Sequence, residues 1–203
     1  MLIGISSNIK KHYANYCDFI DYYWIKYFNK KNYKFITIPN SSLSSSEILN
    51  KYKKSLDLLV LQGGNDIYTA KKEILNRNKV EKSIINFGIR YGIPILGVCR
   101  GMQLINLKFK GKIKKKEGHM LTKHGVTFLD AKIFNTKKLM VNSFHNYCVT
   151  KSSLAKNMEI IAEANDKTIE LFKHKKYKIY GIMWHPERTK SKKFLDKLIK
   201  FCK

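Results

Sequence analysis

Residues 93–106 read Ile-Pro-Ile-Leu-Gly-Val-Cys-Arg-Gly-Met-Gln-Leu-Ile-Asn, an apolar run that breaks at Gly97-Val98-Cys99-Arg100-Gly101 and resumes with helical spacing. A short buried strand, a tight turn at Cys99 and a following helix predict a nucleophile elbow with cysteine in place of serine. Glycines two residues to either side let the backbone turn sharply and leave the sulfur exposed. The helix aims its N-terminus at the thiol, where free amides and the helix dipole favour the thiolate, the nucleophilic form. A buried core cysteine at the end of a strand would also fit this segment taken alone. The flanking glycines, which a core cysteine does not require, and a matching base elsewhere in the chain separate the two readings.

That base lies near the C-terminus, in Ile179-Tyr180-Gly181-Ile182-Met183-Trp184-His185-Pro186-Glu187. Residues 179–184 have strand composition, and Pro186 marks where pairing stops. In extended backbone His185 and Glu187 share one side, so Glu187 can hold the imidazole through Nδ1. Cysteine, histidine and acid then make a triad, recognised by roles and not by order in the chain. The developing oxyanion needs donors already in place, and the backbone amide of Arg100, just after the nucleophile, is one.

With these motifs the sequence resembles the class I glutamine amidotransferases, which carry a Gly-x-Cys-x-Gly elbow and a terminal His-Pro-Glu. The likeness is closest to their stand-alone γ-glutamyl hydrolase branch. It is carried further by Leu61-Gln62-Gly63-Gly64-Asn65-Asp66-Ile67-Tyr68, by the extended elbow through Asn106, and by Val141-Asn142-Ser143-Phe144-His145-Asn146. The resemblance implies an α/β fold: a flavodoxin-like mixed sheet with a parallel core, helices on both faces and a smaller antiparallel portion. It also implies cysteine-dependent hydrolysis of a γ-glutamyl amide, with the amide of Gly64 as second oxyanion donor and Gln103 contacting the glutamyl group. Ser143, Phe144, His145 and Asn146 correspond to the segment that meets the substrate's α-amino and carboxylate groups. His145 reads as a site-lining group and not as the base, because no ordering acid is near it in sequence; a packed structural histidine fits it as well.

The sequence departs from the hydrolase pattern after the elbow. Many relatives have a Gly-Gly pair there, whereas Lys110-Gly111 supplies one glycine before a short loop to Gly118-His119. That leaves the leaving group open. Small amine conjugates of the γ-glutamyl-GABA type are one choice. The small size, the run Lys108, Lys110, Lys112, Lys114, Lys115 and Lys116, and the AT-biased composition also resemble bacterial γ-glutamyl-CDP-amidate hydrolases, which release cytidine diphosphoramidate for capsule modification. An anionic leaving group would give those lysines a purpose, and this substrate is preferred; a solvated loop is the plain alternative. A glutaminase subunit feeding ammonia to a synthase partner is less favoured, and a non-catalytic relative least, since Cys99, His185 and Glu187 are all present.

Composition bounds the rest. A chain of 203 residues without a Pro/Gly/Ser-rich linker is expected to form one domain, residues 1–203. The net charge of +25 would ordinarily raise nucleic acid as a partner, but four arginines against 36 lysines suggest an AT-rich coding sequence, and no nucleic-acid motif is present. No secretory signal or membrane span is visible. Cys17, Cys99, Cys148 and Cys202 have neither disulfide-framework nor metal-ligand spacing, so a reducing cytoplasm, no metal and no cofactor are expected. Strands are predicted at 2–6, 34–39, 56–61 and 94–98, with helices at 13–29, 47–54 and 78–91 between them, a rhythm that gives a parallel sheet. Beyond residue 126 shorter apolar runs predict hairpin strands at 126–129, 132–134, 148–150, 159–163, 169–174 and 178–184. Residues 166–168 form a hairpin turn, and a last helix spans 191–201.

Overall fold

The computed structural model describes residues 1–68 and 71–203. In chain order its elements are β1 Leu2–Ser6, β2 Asn8–His12, β3 Asn15–Phe19, α1 Tyr22–Lys30, β4 Lys34–Ile38, α2 Ser42–Tyr52, β5 Leu58–Leu61, α3 Lys72–Tyr91, β6 Ile95–Val98, α4 Arg100–Lys108, β7 Lys114–Lys115, β8 Met120–Phe128, β9 Lys138–Phe144, β10 Tyr147–Cys148, β11 Met158–Ala164, β12 Ile169–His174, β13 Ile179–Ile182 and α5 Lys193–Cys202. A nine-stranded sheet runs β4-β1-β5-β6-β13-β12-β11-β8-β9. Its first five strands are mutually parallel and the remainder pair antiparallel. β6, which delivers Cys99, sits between β5 and β13, so the oxyanion loop and the His185 strand leave the sheet on either side of the thiol.

The parallel strands are apolar throughout because both of their faces are covered. Leu58 and Val60 of β5, with Leu96 and Val98 of β6, pack against Trp24, Tyr27 and Phe28 of α1 and Leu195, Leu198 and Ile199 of α5. The alternate residues Leu59, Leu61 and Ile95 face Leu49 of α2, Val80, Ile84 and Ile85 of α3, and Met102 and Ile105 of α4. The period of two along each strand therefore assigns helices to both sides. No helix among the described residues is long and apolar enough to cross a membrane.

Several expected elements differ. The predicted helix 13–29 is instead the β2–β3 hairpin followed by α1. The hairpin turns at Tyr13 (φ 51°), and Asp21 then starts α1 by accepting from the Tyr23 amide at 3.0 Å. β3 is exposed along its length, so no apolar period marks it as strand or helix. α2 begins at Ser42, five residues before the helix expected at 47, capped by the Ser41 side chain accepting from Ser44 N at 3.5 Å. α3 begins at Lys72, six residues earlier than expected. Residues 132–134 form a turn and not a strand, with Phe134 buried against Phe128 and Phe194 at ring separations of 5.5 and 5.0 Å. β9 is absent from the predicted strands; it pairs only with β8 at the sheet edge, where half-buried residues blur the alternation.

Candidate active site

The elbow forms as its sequence predicts, with two differences. Cys99 itself takes the left-handed conformation (φ 50°, ψ −104°), a strained geometry for a non-glycine residue that costs roughly 1–3 kcal/mol. Its amide donates to Ile182 O at 2.7 Å, tying the turn to β13. The flanking glycines serve close approach and not rotation: a Cβ on Gly97 would stand 2.6 Å from the Gly101 backbone, and one on Gly101 would stand 2.2 Å from Leu61 O. The second difference is burial. Cys99 is 5 % exposed, where an elbow thiol open to solvent was expected, because the oxyanion loop and His185 close over it.

His185 and Glu187 come together through a turn and not through extended backbone. β13 ends at Ile182, and Pro186 opens a 3-10 turn over Pro186–Arg188. Within it His185 Nδ1–H donates to Glu187 Oε1 at 2.6 Å, and the ring also hydrogen-bonds Cys99. Burial works against charge on His185, but the Glu187 carboxylate and the Cys99 sulfur outweigh it and hold the imidazole up to about 10. The ring is thus an imidazolium paired with the nucleophile, ready to give a proton to a departing nitrogen. We expect kcat/KM to fall as pH rises through about 10, because losing that proton removes the general acid; a pH–rate profile flat to pH 11 would contradict this. The pairing of His185 with Glu187 stabilises the fold fully below the ordinary imidazole range, and that contribution is lost as pH rises through about 10.

Gly63 and Gly64 close the other side. A Cβ on Gly63 would lie 2.6 Å from His185 Cε1 and 3.4 Å from Cys99 Cβ, so any side chain there would displace the base. Gly64 (φ 121°) rests on the Asn8 amide. Beneath them lies a buried charge network that motif reading missed. Arg77 Nη2 donates to the carbonyls of Gln62 and Gly63 at 2.8 and 3.1 Å, its Nη1 to Asn8 Oδ1 at 2.5 Å, and its Nε to Glu81 Oε1 at 3.0 Å. Arg100 turns its guanidinium away from the substrate side, onto Glu81 and Asn78. One carboxylate thereby fastens the oxyanion loop to the residue whose amide follows the nucleophile. A helical Arg77-x-x-x-Glu81 spacing was the available signal, but exposed i,i+4 pairs are so common that it carries no weight without burial.

The substrate segment divides. Phe144 packs its ring on His185 with centroids 5.7 Å apart, and Arg188 covers its other side while pairing with Asp21. Gln103, one turn after Cys99, donates to Tyr147 O at 2.9 Å and so holds the segment in place. Asn146 is exposed, and its carbonyl accepts from Lys116 N. Ser143 points away, donating to His119 O at 2.6 Å. His145 is also turned inward: it does have an acid near it, Glu170 Oε1 at 4.0 Å, contributed by β12 where sequence proximity could not reveal it. Burial, with His119 alongside, pulls His145 down to about 3.

Asn142, within the same motif but without an expected role, clamps His185. Its Nδ2 donates to His185 O at 2.9 Å and its Oδ1 accepts from His185 N at 2.8 Å. Asn142→Ala should lower kcat by about 10- to 100-fold with little change in KM, since a base misplaced by about an ångström costs on that order. A loss confined to KM would show that Asn142 meets substrate instead of positioning His185.

The sequence profile of the family "Glutamine amidotransferase class-I" matches residues 14–202. The chain belongs to the class I glutamine amidotransferase family. Among its family relatives, a γ-glutamyl-CDP-amidate hydrolase of Campylobacter jejuni is 36% identical over 195 residues, covering 93% of this chain and 90% of that protein. A glutamine-hydrolysing GMP synthase subunit of Methanocaldococcus jannaschii is 28% identical over 170 residues, covering 82% and 81%. In fold, a solved structure from Thermoplasma acidophilum, assigned to the same kind of GMP synthase subunit, superposes with a TM-score of 0.75 at 22% identity, covering 100% of this chain and 94% of that one.

Proposed function

We propose that this chain hydrolyses the γ-glutamyl amide bond of a nucleotide-linked conjugate, a γ-glutamyl-CDP-amidate, releasing L-glutamate and cytidine diphosphoramidate for capsular polysaccharide modification. The observation that carries the reading is the convergence on Cys99 of a charged His185–Glu187 pair and the Gly63 backbone, beside the turn that leads into Arg100. It occurs in a chain 36% identical over nearly its whole length to a relative named for that reaction.

Cys99 attacks the γ-carbonyl carbon as a thiolate, and the oxyanion forms between the amides of Gly64 and Arg100. Collapse breaks the C–N bond as His185 gives its proton to the leaving nitrogen. Water, deprotonated by His185, then attacks the thioester, and glutamate leaves as the thiolate is restored. Glu187 stabilises the imidazolium throughout, through Nδ1.

The leaving group is supported by where the lysine loop goes. β7, Lys114–Lys115, pairs with β10, Tyr147–Cys148, directly after the segment anchored by Gln103. Lys114 and Lys116 are held by Ser152 and Asp166, whereas Lys115 is exposed with no partner among the described residues. Tyr68, 55% exposed, stands edge-on to Tyr147 at 5.6 Å and offers an aromatic surface beside those charges. Serine at Lys112, Lys114 and Lys115 together should raise KM for the nucleotide conjugate about tenfold at low ionic strength and flatten its salt dependence. An unchanged KM returns the loop to solvent.

Glutamate release from γ-glutamyl-CDP-amidate, γ-glutamyl-GABA and glutamine, measured side by side, tests the whole reading. Efficient turnover of γ-glutamyl-GABA with none of the nucleotide conjugate would sink it. Steady ammonia release from glutamine, raised by a synthase, would instead align the chain with relatives such as the M. jannaschii protein.

A further inference from the structure

Beside the substrate segment, three imidazoles surround one buried carboxylate. His119 lies just before β8, His124 within it, His145 between β9 and β10, and Glu170 on β12. The rings of His119 and His145 are 4.8 Å apart, those of His119 and His124 4.9 Å. Glu170 is fully buried and His119 and His145 are 5 % and 4 % exposed.

The hydrogen bonds fix which nitrogens face the centre. His145 Nδ1 lies 3.0 Å from Tyr147 O, an acceptor, so that nitrogen carries the ring's N–H and Nε2 presents a lone pair. His119 Nε2 lies 2.8 Å from Asp166 Oδ2, so the neutral ring too spends its N–H outward and leaves Nδ1 bare. His145 Nε2, His119 Nδ1 and Glu170 Oε2 are all buried and without a hydrogen-bond partner among the described residues. Ligand atoms of the three residues lie within 4.8 Å of one another. Electron-rich atoms converging in a dry place repel one another, and buried polar atoms are normally paired, so the arrangement calls for a cation at its centre.

We propose that His119 Nδ1, His145 Nε2 and Glu170 form a binding site for a divalent transition-metal ion, Zn²⁺ being the probe that suits two imidazoles and a carboxylate. Outward hydrogen bonds from ligating imidazoles to a carboxylate and a carbonyl are the arrangement that orients such rings on a metal. Bonds of about 2.0–2.1 Å place tetrahedral ligand atoms about 3.4 Å apart, so atoms now within 4.8 Å of one another must close by up to about 1.4 Å. His124, with Nε2 3.4 Å from Glu170 Oε2, is the nearest further imidazole. Cysteine spacing could not reveal this site, because its ligands are two histidines and a glutamate from three separate strand ends. An ion here would tie β8 and β12 to the turn that carries Tyr147, the anchor of Gln103, so its role is to stiffen the substrate wall.

The test is calorimetric titration of Zn²⁺ into chelator-treated Cys99→Ala protein, with cobalt absorption spectra and thermal melts alongside; removing Cys99 prevents zinc from binding the nucleophile. The expected result is one equivalent bound, a raised Tm, and tetrahedral cobalt bands. His145→Ala and Glu170→Gln should each abolish saturable binding, and Asp166→Asn, at the half-exposed rim, should weaken it about 10- to 100-fold. Absence of saturable binding in the folded Cys99→Ala protein overturns the proposal and leaves Glu170 compensated by His124 alone. Equal affinity in His145→Ala and Glu170→Gln overturns it too; if those variants do not fold, unchanged affinity in Asp166→Asn does so.

Discussion

Cys99→Ala should lose hydrolysis by a factor on the order of 10⁴ or more, because attack by water without a covalent intermediate leaves only the oxyanion donors and substrate positioning at work. The fold should survive. The replacement removes one sulfur from a tightly enclosed position, which costs at most about 1 kcal/mol of packing, and alanine meets no new neighbour there. The stronger signature is electrostatic. His185 loses one of the two groups, Cys99 and Glu187, that oppose the effect of its burial, so its titration should move down from about 10 while the Glu187 hydrogen bond persists. NMR of the imidazole ring against pH reads that shift directly. Activity within tenfold of the parent, or an unmoved His185, would mean that Cys99 is not the nucleophile.

Glu81→Ala should destabilise the protein by about 3–5 kcal/mol, the cost of leaving buried guanidinium groups without their counter-charge. Glu81 is fully buried between Arg77 and Arg100 and accepts from Ser6 as well. Burial alone would raise its carboxyl; Arg100 and Arg77 reverse that and hold it below the ordinary range. A depressed carboxylate stabilises the fold above the unfolded value and loses that contribution as pH falls through the folded one, so the parent should show an acid transition that Glu81→Gln flattens. Urea denaturation at neutral pH measures the first effect. A loss under about 1 kcal/mol would show that water reaches the network and screens it.

How far the sequence could be read follows from where each signal sits. The elbow, the His-Pro-Glu turn and the parallel strands are local: their residues are consecutive, and their apolar runs and glycines have a period that needs no partner to be recognised. The β2–β3 hairpin and β9 were illegible for the opposite reason. Both lie at exposed margins, where backbone pairing and not burial selects the conformation, so no hydrophobic period is imposed on them. The serine cap of α2 was missed by starting the helix at 47, because a run of serines serves a loop as readily as a helix start.

The site shows the same division. Cys99, His185 and Glu187 announce themselves by spacing. Asn142 does not, since its value is a pair of hydrogen bonds to a backbone 43 residues away. Arg77 and Glu81 carried no expectation, since Arg77 precedes the helix expected at 78 and only β1, β5 and the elbow make the pair buried. His145 was read without an acid because Glu170 reaches it across the sheet from another strand.

By itself, then, the sequence determined the Cys99 elbow, the His185–Glu187 pair and the parallel sheet beneath them, because consecutive residues carry that information in their order. Only the tertiary structure decided how buried the thiol is, which charges hold the oxyanion loop, and that histidines from separate strand ends meet around one carboxylate. Those properties depend on which distant segments exclude water from one another, and no local run of residues encodes it.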